Sequence, residues 1–204
     1  MTTFKPFIAA LMLTCLAQAP LANAAFLSLQ PDSNTVSNGD SLSLDIIVSG
    51  LGDFGADSLG AFDFSIGYDT SALSFTGYSL GSLLGDLGTL EAIDGSSGDN
   101  GFAVNLAEVS LLSSLSLDAL QPTEFILASI SFDVLDLAIG ATTELALLGG
   151  AILGDSGGSS LPFTSGGPAA IEGVSSVPLP GTLLLFVSGL LGLSAQRRSQ
   201  RSRT

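Results

Sequence analysis

Four stretches of this chain alternate apolar and polar residues with a period of two, and no other feature restricts its fold so strongly. In Ser41 to Ser49, Leu42, Leu44, Ile46 and Val48 fall on one side and Ser41, Ser43, Asp45 and Ile47 on the other. Successive side chains of an extended chain point to opposite faces, so the pattern predicts a strand with one buried face. Phe62, Phe64, Ile66 and Tyr68 repeat it against Asp63, Ser65 and Gly67, and Phe102, Val104 and Leu106 do so with Asn105 between the last two. Ile126, Ala128, Ile130, Phe132 and Val134, offset by Ser129, Ser131 and Asp133, predict the longest strand. Shorter strands are expected at Phe26 to Leu29, Leu73 to Tyr78 and Glu144 to Leu153, the last bent or bulged at Gly149 and Gly150. Clusters of Gly, Asn, Asp and Ser separate these runs, and only Glu108 to Leu120 has room for a helical turn or two. Many short alternating strands joined by such turns make an all-β sandwich.

The two ends are addresses. Met1 to Lys5 carries one positive charge, Phe7 to Leu16 is apolar, and Ala22 and Ala24 supply the small residues that signal peptidase needs, so residues 1–24 read as a secretory signal. Cys15 is the only cysteine and leaves with that signal, so the mature chain has no disulfide. At the other end, Val177 to Ala195 is 19 residues without a charge. At ~1.5 Å per residue such a helix crosses a hydrocarbon core of ~30 Å. Arg197, Arg198, Arg201 and Arg203 follow, four of the chain's five basic residues. Such a cluster is held in the cytoplasm, so the rest of the chain faces outward. Pro178 and Pro180 fix φ and remove backbone donors, leaving the segment before the span extended and open to an enzyme.

The order of motif, span and Arg cluster over the last 28 or so residues resembles the PEP-CTERM protein-sorting signal. The motif here is Val177, Pro178, Leu179 and Pro180, with Leu179 where the family has Glu. The resemblance implies an exosortase-type sorting protease as partner, in a Gram-negative bacterium that makes exopolysaccharide, and membrane anchoring by the C-terminal helix before processing. An uncut C-terminal anchor is the other reading of the same residues.

Between the addresses lies about one domain of chain, enough to bury a real core. Its charge is one-sided: all 19 acidic residues and no Lys, Arg or His fall between Ala25 and Ser176. Such a surface repels phosphate and attracts cations, which excludes nucleic acid as a partner. The acids also simply keep an apolar secreted domain in solution.

Three stretches look like successive core strands of a cohesin domain: Val36 to Ile46, Leu59 to Phe75, and Phe125 to Val134. The family's Tyr-Asp-x-x-x-Leu element stands here as Tyr68, Asp69 and Leu73. The resemblance runs from about Phe26 to Asp155 and implies a jelly-roll β-sandwich related to some carbohydrate-binding modules. An Asp at such a turn accepts from the backbone two residues on, and the Leu returns the chain to the core.

Chemistry is sparse. With no His, Cys or Lys between Ala25 and Ser176, the domain lacks the usual nucleophile and base pairs and any soft-metal site. A carboxylate pair working as a glycosidase would need a shaped cleft that drives two pKa values apart. Sugars stack on exposed aromatic rings, yet this chain has no Trp and only Tyr68 and Tyr78. Calcium is the one cofactor the sequence offers, through Asp94, Asp99 and Asn100 in the loop Asp94 to Gly101, which gathers hard oxygen donors and glycines. The same composition also makes plain turns. The domain is expected over residues 25–156, a flexible Gly/Ser/Pro linker over 157–176, and the sorting signal over 177–204. The expected protein is exported and non-enzymatic, a binding or adhesion module of the cell surface or extracellular matrix. A polysaccharide or a dockerin-bearing protein is its alternative partner.

Overall fold

The computed structural model describes residues 24–175. Most of the predicted secretory signal, including Ala22, and the sorting motif, span and Arg tail lie outside the described residues. No helix among the described residues is long and apolar enough to cross a membrane.

The described residues form thirteen strands: β1 (Ala25–Pro31), β2 (Thr35–Val36), β3 (Ser41–Ser49), β4 (Leu59–Gly67), β5 (Leu73–Leu80), β6 (Ala92–Asp94), β7 (Gly98–Asp99), β8 (Ala103–Ser110), β9 (Glu124–Val134), β10 (Thr142–Leu147), β11 (Ile152–Asp155), β12 (Phe163–Ser165) and β13 (Ala169–Gly173). One sheet has the order β12-β1-β3-β9-β5; the other has β2-β13-β10-β4-β8-β6, with β11 also on β4 and β7 also on β8. Most pairs are antiparallel, but β1 pairs β12 and β2 pairs β13 in parallel, so strands from the two ends of the described chain pair at one edge of each sheet.

The predicted alternation on β3 holds throughout: Leu42, Leu44, Ile46 and Val48 are all buried and their neighbours are not. On β4, Phe62, Phe64 and Ile66 point inward, and on β9 so do Ala128, Ile130, Phe132 and Val134. Phe132 sits at the centre, its ring 5.0 Å from that of Tyr68 and 6.3 Å from that of Phe75. A fully buried side chain of this size contributes about 2–3 kcal/mol through apolar surface removed from water.

Four expectations need correction. Ile126 does not continue the inward face of β9; it is 44% exposed. A bulge opposite Ile46 and Ile47 inserts Leu127 as an extra residue, so Leu127 takes the core position and the alternation before it is inverted. Phe102 lies outside β8 and is 62% exposed, because Asn100 Oδ1 accepts from the N–H of both Phe102 and Ala103 and folds the chain into a turn there. Glu144 to Leu153 is two strands, β10 and β11, which meet β4 in succession and are separated by a turn with Gly150 at φ +98°.

The fourth correction concerns residues 157–176, expected as a linker. They carry β12 and β13, whose Ala169 and Ile171 are buried, so the sandwich extends to Gly173. The alternation of Ala169, Ile171 and Gly173 with Ala170 and Glu172 is a strand pattern hidden among glycines and prolines. The predicted helical turns are real but late: β8 runs to Ser110 and the helix α1 spans Ser114–Leu120. Ser113 caps it by accepting from Ser116 N at 3.2 Å, and Pro122 stands just beyond its end.

Candidate functional site

The three residues expected to offer calcium ligands each take part in local hydrogen bonds. Asp94 Oδ2 accepts from the Tyr78 hydroxyl at 2.8 Å and Oδ1 from Ser96 N at 2.8 Å. Asp99 Oδ1 accepts from the Tyr68 hydroxyl at 2.9 Å and from Gly101 N at 3.0 Å. Asn100 is the turn former already described. Asp69, Asp86 and Asp155 likewise accept from the backbone N–H two residues on. These acids hold turns in place of the basic partners the domain lacks. Among the described residues no group of three or more His, Cys, Asp or Glu is placed to hold a metal ion. The three predicted ligands are each tied to their own tyrosine or turn.

Those bonds shape the local electrostatics. Burial, reinforced by the Asp99 carboxylate, pushes the Tyr68 hydroxyl up to about 12. The bond to Asp94, then burial, raises Tyr78. Burial works against the Asp94 carboxylate, but hydrogen bonds from Ser96 and Tyr78 outweigh it and hold its pKa below the usual value.

Glu108 is the residue that sequence reasoning passed over. It sits on β8 directly opposite Phe62 on β4 and Asp94 on β6. It is 0% exposed, and neither carboxyl oxygen has a hydrogen-bond partner. Burial, then the negative charge of Asp94, pushes its pKa up to about 7. The signal was present in the chain: Val104, Leu106 and Glu108 share the inward face at a spacing of two.

The outer face of the larger sheet has the character of a docking surface. Strand register sets Gly154, Ala61, Val109 and Ile93 side by side across four strands, with Ile152, Asp63 and Ala107 in the next row. Ile93, Val109, Leu111 and Ile152 are all exposed. Small residues at Ala61, Ala107 and Gly154 keep the face flat between them. A groove of about 700 Å³ runs along it, walled by Ile152 to Ser160 on one side and by Ser110, Leu112 and Leu117 on the other. Gly60 lets the wall approach, since a Cβ there would stand 2.6 Å from the Asp155 carbonyl oxygen. Asp155 holds the end of that wall by accepting from Gly157 N at 2.9 Å and Ser159 N at 2.7 Å. In mid-face, Asp63 accepts from Asn105 Nδ2 at 2.9 Å. Exposed apolar side chains gathered on one face in this way are a common feature of interaction surfaces.

This face lies toward one end of the sandwich. Strand β8 starts at Ala103 beside Gly67 and reaches Val109 six residues, or about 20 Å, further on. The last strand runs the opposite way, so the chain leaves β13 at the end near Gly67. Of the predicted signal-cleavage residues, Ala24 is exposed and stands immediately before β1.

Comparison with known proteins agrees with both parts. The model of the PEP-CTERM protein-sorting motif matches residues 176–198. The sixth cohesin of scaffoldin B from Acetivibrio cellulolyticus, solved in complex with a dockerin, superposes with a TM-score of 0.60 at 19% identity, over 74% of this chain and 99% of that one. A type II cohesin from the cellulosome of the same organism gives 0.59 at 16% identity, covering 72% and 95%. The cohesin module of a family 33 glycoside hydrolase from Clostridium perfringens gives 0.57 at 12% identity, covering 76% and 99%. No curated protein matches the chain. The chain therefore joins a domain of the cohesin fold to a PEP-CTERM protein-sorting motif at its C-terminal side.

Proposed function

We propose that this protein is an exported, non-enzymatic binding module that takes a protein partner on the outer face of its larger sheet. The exposed apolar side chains of Ile93, Val109 and Ile152 on this face, beside its groove, carry the reading. The sorting motif supports export with anchoring and then processing by an exosortase-type enzyme. The bound dockerin of one structural relative supports a protein as the kind of ligand. The geometry favours display: the face lies toward the end of the sandwich opposite the one from which the sorting signal departs, so it stays reachable while the other end is held at the envelope. Nineteen acidic residues and no basic ones in the domain give the face an acidic surround, which suits a partner with an apolar centre and a basic rim.

A photo-crosslinking residue at position 109, in protein applied to cells of the native host, tests this reading. A discrete crosslinked protein is expected, lost with Ile93→Asp and not formed from position 43 on the opposite sheet. A discrete sugar preference on a glycan array, with no crosslink from position 109, contradicts it in favour of a polysaccharide ligand.

A further inference from the structure

The sandwich end from which the sorting signal departs is itself equipped for contact. Strand β13 ends at Gly173, and Val174 N still donates to Val36 O at 2.8 Å. The sorting motif begins at residue 176, two residues further on. Three extended residues span about 10 Å, less than the width of a helix with its side chains. An enzyme that encloses Val177 to Pro180 therefore meets the sandwich itself.

The surface it meets is apolar and braced. The connection from β9 to β10 leaves Ile139 75% exposed and Leu135 exposed, and Val174, also exposed, directly follows Gly173, which this connection contacts. Gly140 N donates to Gly173 O at 2.8 Å and Gly173 N to Ala141 O at 2.9 Å. A Cβ on Gly173 would stand 2.5 Å from the Ala138 carbonyl oxygen, so the connection lies directly against the departing strand. Leu137 N is anchored in turn by Asn38 Oδ1 at 2.8 Å. Exposed Leu and Ile on a hydrogen-bonded frame present a fixed shape.

The geometry points to this end as a docking surface for the sorting protease, with Leu135, Ile139 and Val174 in contact while the motif occupies the enzyme's active site. A bilayer fits less well. Asp40 and Asp69 lie at this end, their carbonyls accepting from Val134 N and Ala72 N, and Asp136 follows Leu135; the described chain has no basic residue to offset them, so anionic headgroups would repel this end. A protein surface with apolar and basic groups matches it.

The inference rests on the sorting reading, and one experiment separates the two. The full chain is expressed in its host, and loss of the Arg tail is followed by intact mass after a pulse of synthesis. Three variants are compared: Leu135→Ser with Ile139→Ser, a twelve-residue Gly/Ser spacer after Ser175, and Pro178→Ala with Pro180→Ala. The serine pair is expected to slow tail loss about tenfold at the native spacing and to have no further effect behind the spacer, where the motif reaches the enzyme without the sandwich. Tail loss at the parental rate from the serine pair overturns the docking surface. So does equal slowing with and without the spacer, which would place the defect in folding or export. If the proline variant and the parent keep or lose the tail alike, the sorting reading itself fails.

Discussion

The Tyr78 hydroxyl on β5 donates to Asp94 Oδ2 on β6 at 2.8 Å, and so ties the edge strand of one sheet to the edge strand of the other. Directly across β6 from Asp94, on β8, lies the buried Glu108. The tie is one hydrogen bond to a charged acceptor, which contributes about 1.5–3 kcal/mol where both groups are shielded and less at a partly exposed edge. Tyr78→Phe is expected to cost about 1 kcal/mol in urea unfolding without altering the cooperativity of the transition.

Glu108 makes stability depend on pH in an unusual direction. Its folded-state pKa, about 7, lies above the ordinary 4.5, so between those values the folded protein holds a proton that the unfolded chain releases. Its contribution is full below about pH 4.5, declines as pH rises toward 7, and is gone above that. A shift of that size corresponds to about 3 kcal/mol. Wild-type protein is therefore expected to lose stability between pH 5 and pH 7.5, and Glu108→Gln to be flat over the same window. Glu108→Leu should exceed the wild type at pH 8 by about 2 kcal/mol, since an unpaired buried carboxylate is replaced by apolar contact. A wild-type stability that rises through this window would refute the assignment.

Gln121 joins three parts of the fold with one side chain. Its Oε1 accepts from Leu59 N at 2.7 Å, and its Nε2 donates to Leu59 O at 2.8 Å and Leu83 O at 3.0 Å. It is fully buried at the end of α1. Gln121→Ala strips partners from buried backbone groups, and a loss of about 2–4 kcal/mol is expected in thermal or urea unfolding.

The loop acids predict a null response to calcium. Asp94, Asp99 and Asn100 each accept from turn N–H groups or a tyrosine, so millimolar Ca²⁺ is expected to leave the melting temperature unchanged, and a chelator likewise. A calcium-dependent rise of several degrees would contradict this and mark the loop as a binding site.

The sandwich was legible because its long strands alternate strictly: β3, β4 and most of β9 could be read from the period alone, and the element at Tyr68, Asp69 and Leu73 from its resemblance to the cohesin pattern. The Asp69 carboxylate accepts from Ser71 N at 2.9 Å and Leu73 is buried, as that turn requires. What was not legible depends on partners far away in sequence. The bulge at Leu127 arises from pairing with Ile46 and Ile47, and β12 and β13 are strands because β1, β2 and β10 accept them. Gly and Pro among those last residues suggested a linker because local composition carries no record of a parallel edge. The outer face was hidden for another reason: Val109 and Leu111 lie on one side only once β8 is known to continue past Glu108, in a stretch whose leucines fit no single period.

The measurement that bears most directly on the whole account is the intact mass of the protein in fractions of its native host, compared with a strain lacking the sorting protease. The account predicts a mature chain that begins near Ala25, ends near the Val177 to Thr182 motif and leaves the inner membrane, with the Arg tail retained only in the deficient strain. An Arg tail present in both strains would contradict it and would make the C-terminal run a permanent anchor.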